Sequence, residues 1–374
     1  MRMWRRRPSP GRLVLWVLFL GALAISARRF AFGLGSVTHL SNRFPWGLWV
    51  AVDVLGGVAL AAGGFTMAAA VYVLHNERYR PLVRPAVVTG FLGYVLVIAA
   101  LLVDLGRPYR IWHPVIMWNP HSVMFEVAWC VLLYTLVLAL EFGQMVLERL
   151  GRLTMLRLTR LAMPPLVVAG VILSMLHQSS LGTLFLIVPG KLHPLWYTPL
   201  LPVFFFVSAL AVGPAMVLVE SFLSSRALKR ELELPLLRDL ARISFVILSI
   251  YLGLKVTDLT ARGAWTHALT PSVEGRLFAA ELLLGVVIPL VLLATNGGPG
   301  ASRHVLAATL VVLGVLLNRL NVAITGMLAG SHATYVPAWT EVVVTLGITS
   351  AGILAYLWVA EHLPVFPQRK HATL

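Results

Sequence analysis

Apolar residues in this chain run almost unbroken for about 20 positions at a time, ten times over, with most charges confined to the gaps between runs. Coiled as an α-helix, a run of that length crosses a hydrocarbon layer roughly 30 Å thick. The runs lie near 13–28, 47–74, 86–105, 121–147, 161–181, 199–223, 240–259, 277–294, 303–323 and 338–360. Several exceed the length that a span needs, which predicts tilt or helix continuing past the bilayer. Prolines mark run ends at Pro45, Pro81, Pro120, Pro199 and Pro337, where a lost backbone donor is tolerated. Pro164, Pro165, Pro214 and Pro289 fall inside runs and predict kinks.

Composition sharpens the picture. Of 374 residues, 59% are hydrophobic and 12% charged, too little charge to cover a soluble domain of this size. The longest gaps are about 20 residues, too short to fold alone. The expected fold is therefore an all-α integral membrane bundle of about ten transmembrane helices. Residues 1–374 make a single polytopic domain in the cell inner membrane. The formal charge of +15 would point to nucleic acid in a soluble protein. Here it follows topology instead. With a cytoplasmic N-terminus, twenty Lys and Arg fall on that side, among them Arg2, Arg5, Arg6, Arg7, Arg369 and Lys370, against eight opposite. Both termini are therefore expected to be cytoplasmic. The first run also has the basic start of a signal peptide, but its "ALAISARR" end is a poor cleavage site and retention is expected.

Charge inside a bilayer is costly unless paired or hydrated, so its placement carries the chemistry. Asp53, Asp104, Glu126, His177, Lys255, Asp258, Glu281, Arg319 and Glu341 all fall in the outer half of their runs or at its edge, joined by His121, Asn318 and Asn321. This predicts an outer polar chamber. Lys255 and Asp258, at i and i+3, are spaced for an ion pair that either fixes helix register or handles protons. Arg319 needs a carboxylate, with Glu281, Asp53 and Asp104 as candidates. The inner half offers only Glu141, Glu220 and the helix-end residues His75 and Glu361, thin material for a proton relay. Between the third and fourth runs, Arg107, Arg110, His113 and His121 crowd together with Tyr109, Trp112 and Trp118. An aromatic belt explains the tryptophans better than it explains the histidines and arginines. Outward arginines, Arg28, Arg29, Arg43, Arg107 and Arg110, could dock an acidic partner.

Cys130 is the only cysteine, so this chain alone cannot hold a disulfide framework or an iron–sulfur cluster. His121 and His177 sit at the outer ends of adjacent runs, yet no two histidines match at mid-bilayer depth, and no haem is expected. Nor is a metal site from His113, His121 and His193. "GLGS" and "NGGPG" read as turns.

Three stretches resemble the NrfD/PsrC polysulfide-reductase membrane-subunit family: "GLWVAVDVLGGVALAAGGF" (Gly47 to Phe65), "DLGRPYRIWHP" (Asp104 to Pro114) and "LLNRLNVAITGM" (Leu316 to Met327). The count of ten helices resembles its HybB-like branch, and the likeness runs from about residue 40 to 360. The resemblance implies a helical subunit without its own cofactor that binds menaquinone or ubiquinone near the periplasmic face. It also implies a ferredoxin-like iron–sulfur partner on that face, a catalytic oxidoreductase subunit and, in some relatives, proton translocation. Asp53, Asp104, Arg107, His113 and Arg319 lie within the family-like stretches. Glu126, His121, His177, Lys255, Asp258 and Glu281 are candidates by depth. In this reading the histidines pass protons and Arg107 and Arg319 stabilise the charge of reduced quinone. A secondary transporter is the rival reading, since intramembrane charges also mark substrate paths. A structural anchor for a redox partner is a third. The chains that co-purify separate all three.

Overall fold

A computed structural model describes residues 9–187, 190–232, 234–294, 302–331 and 334–366. Arg2, Arg5, Arg6, Arg7, Arg369, Lys370 and the "NGGPG" turn lie outside these residues. Ten helices among the described residues are long and apolar enough to span a membrane: α1 Pro10–Phe32, α2 Trp49–Val73, α3 Glu77–Asp104, α4 Val123–Arg149, α5 Leu153–Leu184, α6 Leu201–Leu228, α7 Leu234–Ala261, α8 Val273–Ala294, α9 Ser302–Ser331 and α10 Trp339–His362. The expected multi-pass, all-helical architecture is found. The main boundary differences are extensions beyond the apolar runs. α3 starts at Glu77 rather than near 86, α5 at Leu153 rather than near 161, and α9 reaches Ser331. Polar helix continues past the bilayer because the backbone bonds of a helix are local and need no lipid.

α1 begins and α10 ends on one face, here the termini-side face; the other is the far face. Helices α2 and α6 are the centre of the bundle. α2 packs on α3, α5, α6 and α9, whereas α6 packs on α5, α7, α9 and α2. α1 and α10 pair with each other outside this core, and α10 leans on α3. Two large apolar clusters fill the interior. One, around Leu82, Met145, Leu218 and Leu240, occupies the termini-side half. The other, around Phe65, Trp196, Phe205 and Phe278, occupies the far half. Helices run through Pro164, Pro165 and Pro214 without ending.

Irregular turns interrupt the α-helical ladder where sequence pattern gives no warning. α2 opens with a π-helical stretch, Trp49–Gly56, and carries a second at Ala69–Val73. α8 has one at Leu283–Val287 and α9 one at Asn321–Gly326. The α8 stretch sits just ahead of Pro289, whose missing N–H would otherwise leave the Gly285 carbonyl short of a donor. One turn of wide helix also re-aims the side chains around it, and two of these stretches hold or adjoin Asp53, Arg319 and Asn321.

Candidate functional site

Ion pairs gather on the termini-side face: Arg12–Glu361, Arg78–Asp239 and Arg84–Glu148 each close to 2.7 Å. The far half is different in kind. Its buried polar side chains fall into three clusters.

The first joins α1, α2, α3 and α10. Asp53 is buried and accepts a hydrogen bond from Thr345 Oγ1 at 2.7 Å. Asp104, also buried, ends α3, which packs on the Trp49–Gly56 stretch that holds Asp53. Its Oδ1 has no hydrogen-bond partner among the described residues. Arg29 brackets Asp104 without a direct ion pair. Its Nε donates to the Val103 carbonyl at 2.6 Å and its terminal nitrogen to the Leu105 carbonyl. Arg29 is thus buried and engaged, not an outward docking arginine as its place at a helix end implied. Glu341 closes the cluster towards the loop. It accepts from the His39 and Ala338 amides, both at 3.1 Å, and from the Tyr335 hydroxyl, while Trp49 Nε1 donates to its carbonyl. Burial, and next the bond to Glu341, hold the Tyr335 phenol well above its ordinary pKa, so it remains a donor.

The second cluster lies between α3, α4 and α5. His177 is fully buried, and its Nδ1 bonds the Leu173 carbonyl at 2.8 Å. A carbonyl can only accept, so Nδ1 carries the proton and Nε2 accepts from Tyr94 Oη. Around them, Tyr134 Oη, Ser174 Oγ and Gln178 Oε1 are buried without a hydrogen-bond partner among the described residues. Gln178 Nε2 donates to the Val58 carbonyl of α2 at 3.0 Å. Nearer the far face, Ser180 Oγ donates to Glu126 at 2.7 Å.

The third cluster belongs to α6–α9. Glu281 receives Asn318 Nδ2 at 2.8 Å, Asn321 Nδ2 at 2.9 Å and Trp196 Nε1 at 3.0 Å. Arg319 donates to Asn318 Oδ1, Ser208 Oγ and the Phe205 carbonyl, and lies 3.6 Å over the Phe205 ring. Of its proposed carboxylate partners, only Glu281 is in this cluster, and it reaches Arg319 through Asn318. A close crossing one turn away sets this up. A Cβ on Gly285 would lie 2.6 Å from Gly314 Cα, so the two glycines let α8 and α9 touch and bring Glu281 opposite Asn318.

The predicted Lys255–Asp258 ion pair is not formed. Asp258 is taken by Arg262, with Nε at 3.0 Å and a terminal nitrogen at 2.6 Å, and by Thr198 Oγ1 at 2.6 Å. Helical side chains lean towards the N-terminus, so Arg262 at i+4 leans onto Asp258 while Lys255 leans away from it. Lys255 instead sits buried between Phe204 and Phe278, its Nζ 4.7 Å and 5.4 Å from the ring centroids. Arg107, His121 and Glu126 are exposed and His113 half-buried, all near the far surface. Trp129 Nε1 anchors this region to the Pro114 carbonyl.

The chain also matches known proteins. Residues 36–329 fit the family profile described as "Polysulphide reductase, NrfD". The chain belongs to the NrfD family. It is 33% identical over 364 residues to an Escherichia coli protein named probable Ni/Fe-hydrogenase 2 b-type cytochrome subunit, covering 96% of this chain and 93% of the relative. It is 29% identical over 402 residues to the menaquinone reductase integral membrane subunit of Nitratidesulfovibrio vulgaris, covering 97% and 94%. An Archaeoglobus fulgidus relative named Hdr-like menaquinol oxidoreductase integral membrane subunit is 26% identical over 270 residues, covering 68% and 63%. By name these relatives are subunits of redox proteins, two of them integral membrane subunits.

The b-type cytochrome in the Escherichia coli name calls for a test of haem ligation here. The one pair that adjacent helix ends could bring together, His121 and His177, does not fit bis-histidine ligation. Both nitrogens of His177 are committed, to Tyr94 and to the Leu173 carbonyl, and His121 is exposed at the far end of the neighbouring helix.

Sequence reasoning missed Tyr94, Tyr134, Ser174, Gln178 and Thr345. Single hydroxyls and amides in apolar runs are common, and only their convergence marks them.

Proposed function

We propose that this NrfD-family chain is the quinone-exchanging membrane subunit of a respiratory redox complex in the inner membrane. Electrons pass between an iron–sulfur partner, docked on the far face, and menaquinone or ubiquinone. Positive-inside topology makes that face periplasmic. The observation that carries this reading is the Asp53–Asp104 pair. Two buried carboxylates stand on the packed helices α2 and α3, one flanked by the buried Arg29, with an acceptor atom unmet. Buried polar atoms ordinarily find partners, so an unmet acceptor at such a place is available to a ligand.

When quinone is bound, it supplies the two-electron chemistry, and its oxygens gain or lose two protons. The carboxyl groups of Asp53 and Asp104 hold and hand over those protons, and the Thr345 hydroxyl orients Asp53. The Arg29 guanidinium offsets negative charge arising nearby. In the complex purified through this chain, Asp104→Asn lowers quinone turnover by about a hundredfold, the lower end of what a positioned acid–base group contributes. Normal turnover with normal assembly removes Asp104 from the site.

A second role, proton passage towards the termini-side face, is favoured by one observation. Glu126, Cys130, Tyr134 and Glu141 fall on one face of α4, alongside the His177–Tyr94 pair. His177→Phe in proteoliposomes then abolishes proton movement coupled to turnover; unchanged coupling excludes this route.

A further inference from the structure

We propose that the cleft between α1, α3 and α10 receives the isoprenoid tail of the quinone whose head group occupies the Asp53–Asp104 site. This rests on the reading above and adds where the substrate lies in the bilayer. The cleft has a volume of about 490 Å³, with Trp16, Phe19, Leu92, Leu96, Gly352 and Trp358 among its walls. Its lining is aliphatic and aromatic throughout, and Trp358 is also exposed to the lipid side.

The same three helices, together with α2, carry the head-group site. Leu96 is eight residues below Asp104 on α3, about 12 Å at the helical rise, and Gly352 is seven below Thr345 on α10, about 10 Å. Between those levels α10 presents small side chains at turn intervals: Thr345, Thr349, Gly352 and Ala355. Thr349 Oγ1 is satisfied by the Thr345 carbonyl at 3.0 Å, so nothing polar on that stripe needs water. Along α1 and α10 the cleft is bounded above and below by contacts between the two helices. Above it Gly347 packs directly on Ala22, and below it Arg12 pairs with Glu361 at 2.7 Å. A tail would rise along the α3–α10 seam, past the flexible end of Leu96 that lies against Gly352.

Depth and charge separate a quinone tail from a phospholipid chain. The cleft reaches Trp358, only four residues from the termini-side end of α10. A chain hanging from a far-face head group must therefore cross well past the midplane, as a polyisoprenoid does and a phospholipid acyl chain does not. A phospholipid of the near leaflet would seek partners at the termini-side mouth. There Arg12 and Glu361 satisfy each other, and His362 Nδ1 bonds the Trp358 carbonyl.

The test uses the whole complex in proteoliposomes with two acceptors, menaquinone of native tail length and tail-free menadione. A leucine at Gly352 would fill the cleft; its Cβ meets only the flexible end of Leu96, at 2.7 Å. Gly352→Leu raises the ratio of the KM for menaquinone to that for menadione about tenfold, the equivalent of roughly two methylenes denied burial. Ala355→Leu, which fills the same cleft one turn lower, does the same and carries the test if Gly352→Leu does not assemble. An unchanged ratio in the assembled variants overturns the proposal, ordinary lipid then occupying the cleft. Asp53→Asn separates the two readings, because it impairs turnover of both quinones alike. Wild-type turnover in Asp53→Asn, with the ratio shifted in the cleft variants, removes the head-group assignment and leaves the tail site.

Discussion

Two buried carboxylate sites share the far half of the bundle and differ in what their oxygens meet. Glu281 is held by three N–H donors from Trp196, Asn318 and Asn321, which also fix Arg319 through Asn318. Asp53 has one hydroxyl partner, and the neighbouring Asp104 leaves Oδ1 unmet. The first arrangement has little capacity to spare for a ligand, because both carboxylate oxygens are already engaged by N–H donors. The second has capacity, and it lies at the edge of the bundle where α1 and α10 join the core. Depth in the membrane is common to both; hydrogen-bond saturation tells them apart.

The sharpest break of this contrast comes from removing one partner of the saturated network. Glu281→Leu leaves Arg319 buried without its carboxylate, at a cost of about 3–5 kcal/mol, and is expected to abolish assembly or strongly lower the melting temperature in detergent. Asp104→Asn, by contrast, is expected to keep the melting temperature within a few degrees while turnover falls about a hundredfold. If both variants behave alike, the distinction between a structural and a functional carboxylate fails.

Lys255→Met sharpens the comparison inside the α6–α9 group. Lys255 contributes no ion pair among the described residues and lies between two phenyl rings. An apolar side chain of similar volume should therefore hold stability or raise it by about 1 kcal/mol, read from thermal unfolding. A loss of several kcal/mol would give Lys255 a structural partner in the assembled complex.

The smallest expected effect lies outside the membrane. Burial lowers the pKa of His193, opposed by Glu274, and its Nδ1 accepts the Leu195 amide at 3.3 Å, which requires that nitrogen unprotonated. The unfolded chain therefore binds this proton more readily than the folded one. The stability His193 contributes is present above its ordinary pKa of about 6.5 and is lost as pH falls from there through the lowered folded value. His193→Gln should flatten that acid limb of the melting curve.

Much of this protein was legible without coordinates. Ten apolar runs prescribed ten helices because lipid leaves the backbone no other way to satisfy its own polar groups in so short a segment. The same runs exposed the intramembrane charges as anomalies, and "GLWVAVDVLGG" and "LLNRLNVAITGM" carried the family likeness. Pairing was not legible. Spacing favoured Lys255 with Asp258, but the lean of helical side chains gave Asp258 to Arg262. Arg29 resembled a surface arginine and is buried on the carbonyls that flank Asp104. Tyr94 and His177, 83 positions apart, meet because α3 and α5 do.

Sequence fixes what each helix must contain because a span's hydropathy and length are local properties. Which polar atoms end up matched depends on rotations, glycine crossings such as Gly285 on Gly314 and π-helical turns such as Trp49–Gly56, none of which leaves a periodic signal. Only the packed bundle separates the locked Glu281 from the open Asp53–Asp104 pair, since hydrogen-bond saturation is a property of neighbours and not of the residue itself.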